Sequence, residues 1–133
     1  MTGREASIAT RLKTVATQKR VTFQYVTLLY MHEGFLRRLS ASLYRDRFIL
    51  KGGLLLQCLS GSSSRTTKDI DLLARGIAND TAEIKAAISV IAVVSEDDAL
   101  RFDEDSLEVE EITEGNEYHG TRIRIICYLG NIR

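Results

Sequence analysis

Two aspartates one residue apart, in Asp69-Ile70-Asp71-Leu72, and a glycine pair upstream, in Leu50-Lys51-Gly52-Gly53, are the residues whose types and spacing could carry chemistry. The run Thr66-Thr67-Lys68-Asp69-Ile70-Asp71-Leu72-Leu73 reads as a strand. Strand side chains alternate faces, so Asp69 and Asp71 are expected to point one way and Ile70 and Leu72 into a core. Two carboxylates on one rigid face suit a hard cation such as Mg²⁺, which accepts one or two protein carboxylates and fills its other positions with water and substrate phosphates. Gly52 and Gly53 lack Cβ atoms, so a phosphate can approach the backbone and meet the free N–H groups of the short helix expected from Leu54 to Leu59. Arg65 and Lys68 flank the exit of the serine-rich loop at 60–64. They are placed to reach a nucleoside triphosphate or an RNA end, or else are solvated loop charges.

The elements that must position these residues follow from periodicity. Ile8, Leu12, Val15 and Ala16 recur at helical spacing within residues 5–19, and Thr22 is a candidate cap for a longer helix reaching about Tyr44. That helix carries a stripe of Tyr25, Leu28, Leu29, His32, Phe35, Leu36, Leu39 and Leu43. On such a stripe His32 reads as a packed core residue and not a ligand. The helix is also too long and too apolar for the recognition helix of a helix-turn-helix. A strand at 48–51 follows Arg45-Asp46-Arg47. Beyond Asp71, a turn at Gly76 and Asn79-Asp80 leads into a helix capped by Asp80 or Thr81, running to about Val94 and ended by Ser95-Glu96-Asp97-Asp98. Strands are expected over 107–112 and 121–129, joined by a turn across 114–120, with no role for His119. The fold class is α+β, a small mixed sheet packed with helices. One domain over 1–133 is expected, helical over 5–44 with a sheet and helix core over 45–133.

At 133 residues and 44% hydrophobic content the chain can bury one core. No apolar run approaches the ~18 residues of a membrane span, and no signal core follows Met1, so a cytoplasmic protein is expected. Cys58 and Cys127 read as free buried thiols. Charge divides sharply along the chain: 12 Lys and Arg against 3 acids in residues 1–68, then 6 against 15 in residues 69–133. Either the basic half faces a polyanion, such as a nucleotide or RNA, or the two halves fold together and solvate opposite faces.

An Asp-x-Asp spacing alone is weak, and Asp103-Glu104-Asp105 repeats it within a wholly charged stretch that reads as a solvated loop. The pair at 69 and 71 is set apart by its apolar alternation and by the glycine turn before it. A small-residue pair after a hydrophobic strand, followed by Asp-hydrophobic-Asp-hydrophobic, resembles the nucleotidyltransferase superfold. Within it the chain is most similar to the AbiEii/AbiGii-type nucleotidyltransferase toxin family. The similarity runs through Arg47 to Gly53, Arg65 to Leu73, Phe102-Asp103, and Glu117-Tyr118-His119-Gly120-Thr121-Arg122 leading to Leu129-Gly130-Asn131.

The resemblance implies a nucleotidyltransferase-like fold and the toxin of a toxin–antitoxin or phage-defence module. It implies transfer of nucleotides from a nucleoside triphosphate to an RNA acceptor, best a tRNA 3′ end, with Mg²⁺ and with a cognate antitoxin as possible partner. By position, Asp69 and Asp71 would hold the metal and carry the catalysis. Lys51, Gly52, Gly53, Arg65, Thr67 and Lys68 would bind the nucleotide. The family's third carboxylate follows the Leu-Gly-Asn turn, whereas here no acid follows Glu117. A truncated, inactive fragment with the C-terminal part of the fold missing is therefore expected, or a non-catalytic remnant that binds a nucleotide or an antitoxin.

Overall fold

The computed structural model describes residues 3–51, 70–74, 81–115 and 117–130, and of 49–51, 70–74, 114 and 117–119 the backbone only. The helical periodicity of the N-terminal part becomes a hairpin of α1 (Gly3–Lys19) and α2 (Phe23–Ala41), with Ile8, Ala9, Leu12 and Ala16 of α1 buried. α1 ends in a Schellman turn: the Val21 N–H donates to the Ala16 carbonyl at 3.0 Å and the Arg20 N–H to that of Thr17 at 3.3 Å. Arg20 there adopts a left-handed φ of 56°. Thr22 caps α2 as its sequence position implied, its Oγ1 accepting from the Tyr25 N–H at 3.0 Å. α2 stops at Ala41, short of Tyr44, because the Ser42 hydroxyl donates to the Leu39 carbonyl at 2.8 Å and closes the last turn. His32 is buried, 4% exposed, among the packed residues of α2.

The second half builds a four-stranded sheet ordered β1-β2-β4-β3, from β1 (Phe48–Lys51), β2 (Ile70–Ala74), β3 (Leu100–Glu114) and β4 (Glu117–Leu129). A helix, α3 (Thr81–Ala92), precedes β3 and packs against it. The chain is α+β as expected, and every strand pairing among the described residues is antiparallel. The cause for β3 and β4 is their connection, a tight turn with Gly115 at φ 63°, and tight hairpins join only antiparallel strands. The core lies between the helices and one sheet face, where Phe35, Ile84, Ile88, Ile91, Ile123 and Leu129 are fully buried.

Two further expectations change. Asp103-Glu104-Asp105 belongs to β3 and is not a loop, and Tyr118 to Gly120 belong to β4 and not to a turn. β3 is an edge strand, where charged side chains are tolerated because they face solvent. Its register against β4 shifts between Asp103 and Glu108. There the Ser106 hydroxyl donates to the Asp103 carbonyl at 2.6 Å and accepts from the Ile126 N–H at 2.8 Å, so a side-chain oxygen completes the interrupted ladder.

A buried ion pair ties α2 to the start of β3. Arg38, 3% exposed, donates from Nη1 to Asp98 Oδ2 at 2.6 Å and from Nη2 to Asp98 Oδ1 at 2.9 Å. Nη1 also donates to the Gly34 carbonyl and Nη2 to that of Leu100, and the guanidinium lies 4.9 Å from the Phe102 ring centre. Asp98 further accepts from Arg37 Nη2 at 3.1 Å, and its backbone carbonyl accepts from the Tyr30 hydroxyl at 2.9 Å. Gly34 permits this approach, since a Cβ there would collide with Leu100 Cδ1 and stand 3.3 Å from Asp98 Oδ2. Gly34→Ala is therefore expected to lower stability by roughly 1–2 kcal/mol, the overpacking cost outweighing alanine's better helix propensity. Urea unfolding checks this; a stabilised variant would show that Leu100 yields freely.

Cys127 is a buried free thiol, pushed up to about 12 by burial. It is expected to resist iodoacetamide at pH 8 in the native protein and to react in denaturant, read by mass spectrometry of its own peptide. Cys58 lies outside the described residues.

Candidate active site

β1 ends at Lys51, the residue before the glycine pair, and β2 carries Asp71 antiparallel beside it, with Lys51 and Asp71 as direct Cα partners. Across β2 the partner of Asp71 is Arg122 on β4, and the partner of Arg122 on β3 is Glu110. One row of positions thus crosses the whole sheet: Lys51, Asp71, Arg122, Glu110. Directly opposed positions on antiparallel strands share a face.

The neighbouring rows show which face this is. Leu72 pairs with Thr121 and Ile70 with Ile123, and both β4 residues are 1% exposed. Ile70 and Leu72 therefore occupy core rows, and the row of Asp71 belongs to the opposite face, on which Glu110 is exposed and Arg122 half-buried. This is the alternation expected of Ile70-Asp71-Leu72. Of the residues singled out from the sequence, the structure brings Lys51 and Asp71 into register. Gly52, Gly53, Arg65, Thr67, Lys68 and Asp69 lie outside the described residues, as do the helix expected at 54–59, the serine loop and the turn at 76–80.

No three His, Cys, Asp or Glu residues group as a metal site among the described residues. Asp103 Oδ1 accepts from the Asp105 N–H at 3.1 Å, so the second Asp-x-Asp is engaged in its own bulge. Asp71 sits on a strand paired on both sides and flanked by core rows, which is a rigid base for a hard oxygen donor.

Sequence reasoning gave no role to Arg122, although Thr121-Arg122-Ile123-Arg124 alternates as plainly as the aspartate strand does. It also missed the pairing of Arg38, whose place three residues after Phe35 on the buried stripe was the available signal. The basic and acidic halves prove to be partly paired in space, Arg4 with Asp97 at 3.3 Å and Arg37 and Arg38 with Asp98. An open depression lined by Glu33, Leu36, Arg37, Ser40, Ala41 and Glu96 holds none of the expected site residues.

A small antiparallel sheet backed by helices, with the Asp-x-Asp strand paired to the strand that leads into the glycine pair, is a nucleotidyltransferase-like α+β arrangement. Residues 34–133 match the family described as nucleotidyl transferase AbiEii toxin, type IV toxin–antitoxin system, and the chain belongs to that family. The match begins within α2, so α1 lies outside it. No curated protein and no solved structure matches the chain. No helix among the described residues is long and apolar enough to cross a membrane.

Proposed function

We propose that this protein is a Mg²⁺-dependent nucleotidyltransferase that moves nucleotides from a nucleoside triphosphate to the 3′ end of an RNA, with tRNA as the expected acceptor. It acts in the cytoplasm as the toxin of a phage-defence or toxin–antitoxin module, opposed by a cognate antitoxin. The observation that carries this reading is the register of Asp71 with Lys51, which sets the acid-bearing strand beside the entrance to the glycine pair.

In this reading the N–H groups at Gly52 and Gly53 receive the triphosphate oxygens. Lys51, Arg65 and Lys68 offset the negative charge of the phosphates, and Thr67 offers a hydroxyl to them. Asp69 and Asp71 would hold Mg²⁺, which when bound would supply charge neutralisation at the phosphates and acidify the attacking hydroxyl. The RNA 3′-hydroxyl oxygen bonds to the α-phosphorus, its proton passes to solvent, and the bond from that phosphorus to the β-bridging oxygen breaks. Pyrophosphate leaves with the electron pair.

Thermal melting of the wild type and of Asp69→Asn/Asp71→Asn, with Mg²⁺ and GTP or CTP, tests the site. Stabilisation of the wild type alone is expected. Equal responses, or none, would leave a remnant that keeps the fold without the nucleotide chemistry.

A further inference from the structure

Asp71 is flanked in register by a cation on either side, Lys51 on β1 and Arg122 on β4. A carboxylate between two cations is a poor ligand for a free divalent ion, because the same field that favours the carboxylate repels the metal. A triphosphate reverses the sign, since its negative charge draws both the metal and the cations. At the next outward position of β4, Arg124 reaches Glu108 at 3.4 Å on the exposed β3 side. The next row inward holds Arg122, half-buried, between Asp71 and the exposed Glu110.

We propose that Arg122 is a positioning residue of this site. Before nucleotide binds it compensates the charge of Asp71, and when the triphosphate arrives it turns to the phosphates, so that metal and nucleotide load together and Mg²⁺ alone loads poorly. This deepens the nucleotidyltransferase reading and rests on it.

Calorimetric titration of the full chain distinguishes this role from a structural one, using Mg²⁺ alone and then CTP or GTP at saturating Mg²⁺. Arg122→Gln is expected to bind Mg²⁺ alone about tenfold more tightly and nucleotide about tenfold more weakly, a change typical of coupling between sites. Arg122→Lys keeps the charge without the planar fork, so it should match the wild type for Mg²⁺ and lose several-fold for nucleotide. A merely structural role would move both affinities the same way, and that result, or two unchanged affinities, overturns the proposal. If Arg122→Gln does not fold, as its melting curve would show, Arg122→Lys decides alone, and unchanged nucleotide affinity overturns it. Asp71→Asn separates the two levels: loss of binding in that variant with a flat Arg122→Gln sinks the role of Arg122 only. Binding in Asp71→Asn equal to the wild type, or no binding by the wild type, sinks the site and the proposal with it.

Discussion

Asp98→Ala is expected to cost about 3–5 kcal/mol, because it leaves the Arg38 guanidinium buried without its partner. For a domain of this size that is a fall in melting temperature of roughly 10–20 °C, measurable by calorimetry. Arg38→Met should cost a similar amount, since Arg37 alone then faces a buried carboxylate. The double variant Arg38→Met/Asp98→Ala removes both charges together, and its loss should fall short of the sum of the singles by more than about 1 kcal/mol. A loss below about 1 kcal/mol in Asp98→Ala would mean that the pair does not hold α2 to β3.

The same carboxylate sets an acid limit. Burial pushes the Asp98 carboxyl up, but hydrogen bonds from Arg38, the Leu100 amide and Arg37 together outweigh it and hold it below the usual range. A depressed folded-state value contributes stability that is present above the unfolded carboxyl's pKa of about 3.9 and is lost as pH falls below it through the lower folded-state value. The urea midpoint should therefore fall below about pH 5, with that part of the fall missing in Asp98→Asn.

Asp71→Asn is expected to abolish stabilisation by Mg²⁺ with nucleotide while leaving the unliganded melting point nearly unchanged. The wild type should gain about 2.7 kcal/mol at a nucleotide concentration a hundredfold above Kd, a shift of several degrees, and the variant nothing. The unliganded protein should change little, because the row of Asp71 runs along the face opposite the core and exposed ion pairs contribute only about 0–1 kcal/mol. An equal ligand shift in Asp71→Asn would remove the metal from this strand. A large loss without ligand would instead make Asp71 a structural residue.

The helices α1, α2 and α3, the Thr22 cap and the alternation of Ile70, Asp71 and Leu72 were legible in the sequence. Each rests on a repeat of 3.6 or 2 residues, or on a hydrogen bond between residues three apart. The family resemblance was legible for a related reason, since its motifs are contiguous runs. Strand ends were less so. The charged stretch at 103–105 carries no alternation, and it enters β3 only because β4 supplies its partners and Ser106 bridges the bulge.

Charge was the least readable property. Counted along the chain, the basic and acidic halves look like two surfaces. Folded, Arg38 and Asp98, sixty positions apart, become one buried bond, and Arg122 comes to stand beside Asp71. Short-range patterns select which elements form, because they depend on neighbours along the backbone. Which charges meet depends on strand order and register, and those emerge only when the core rows of β2 and β4 close against the helices.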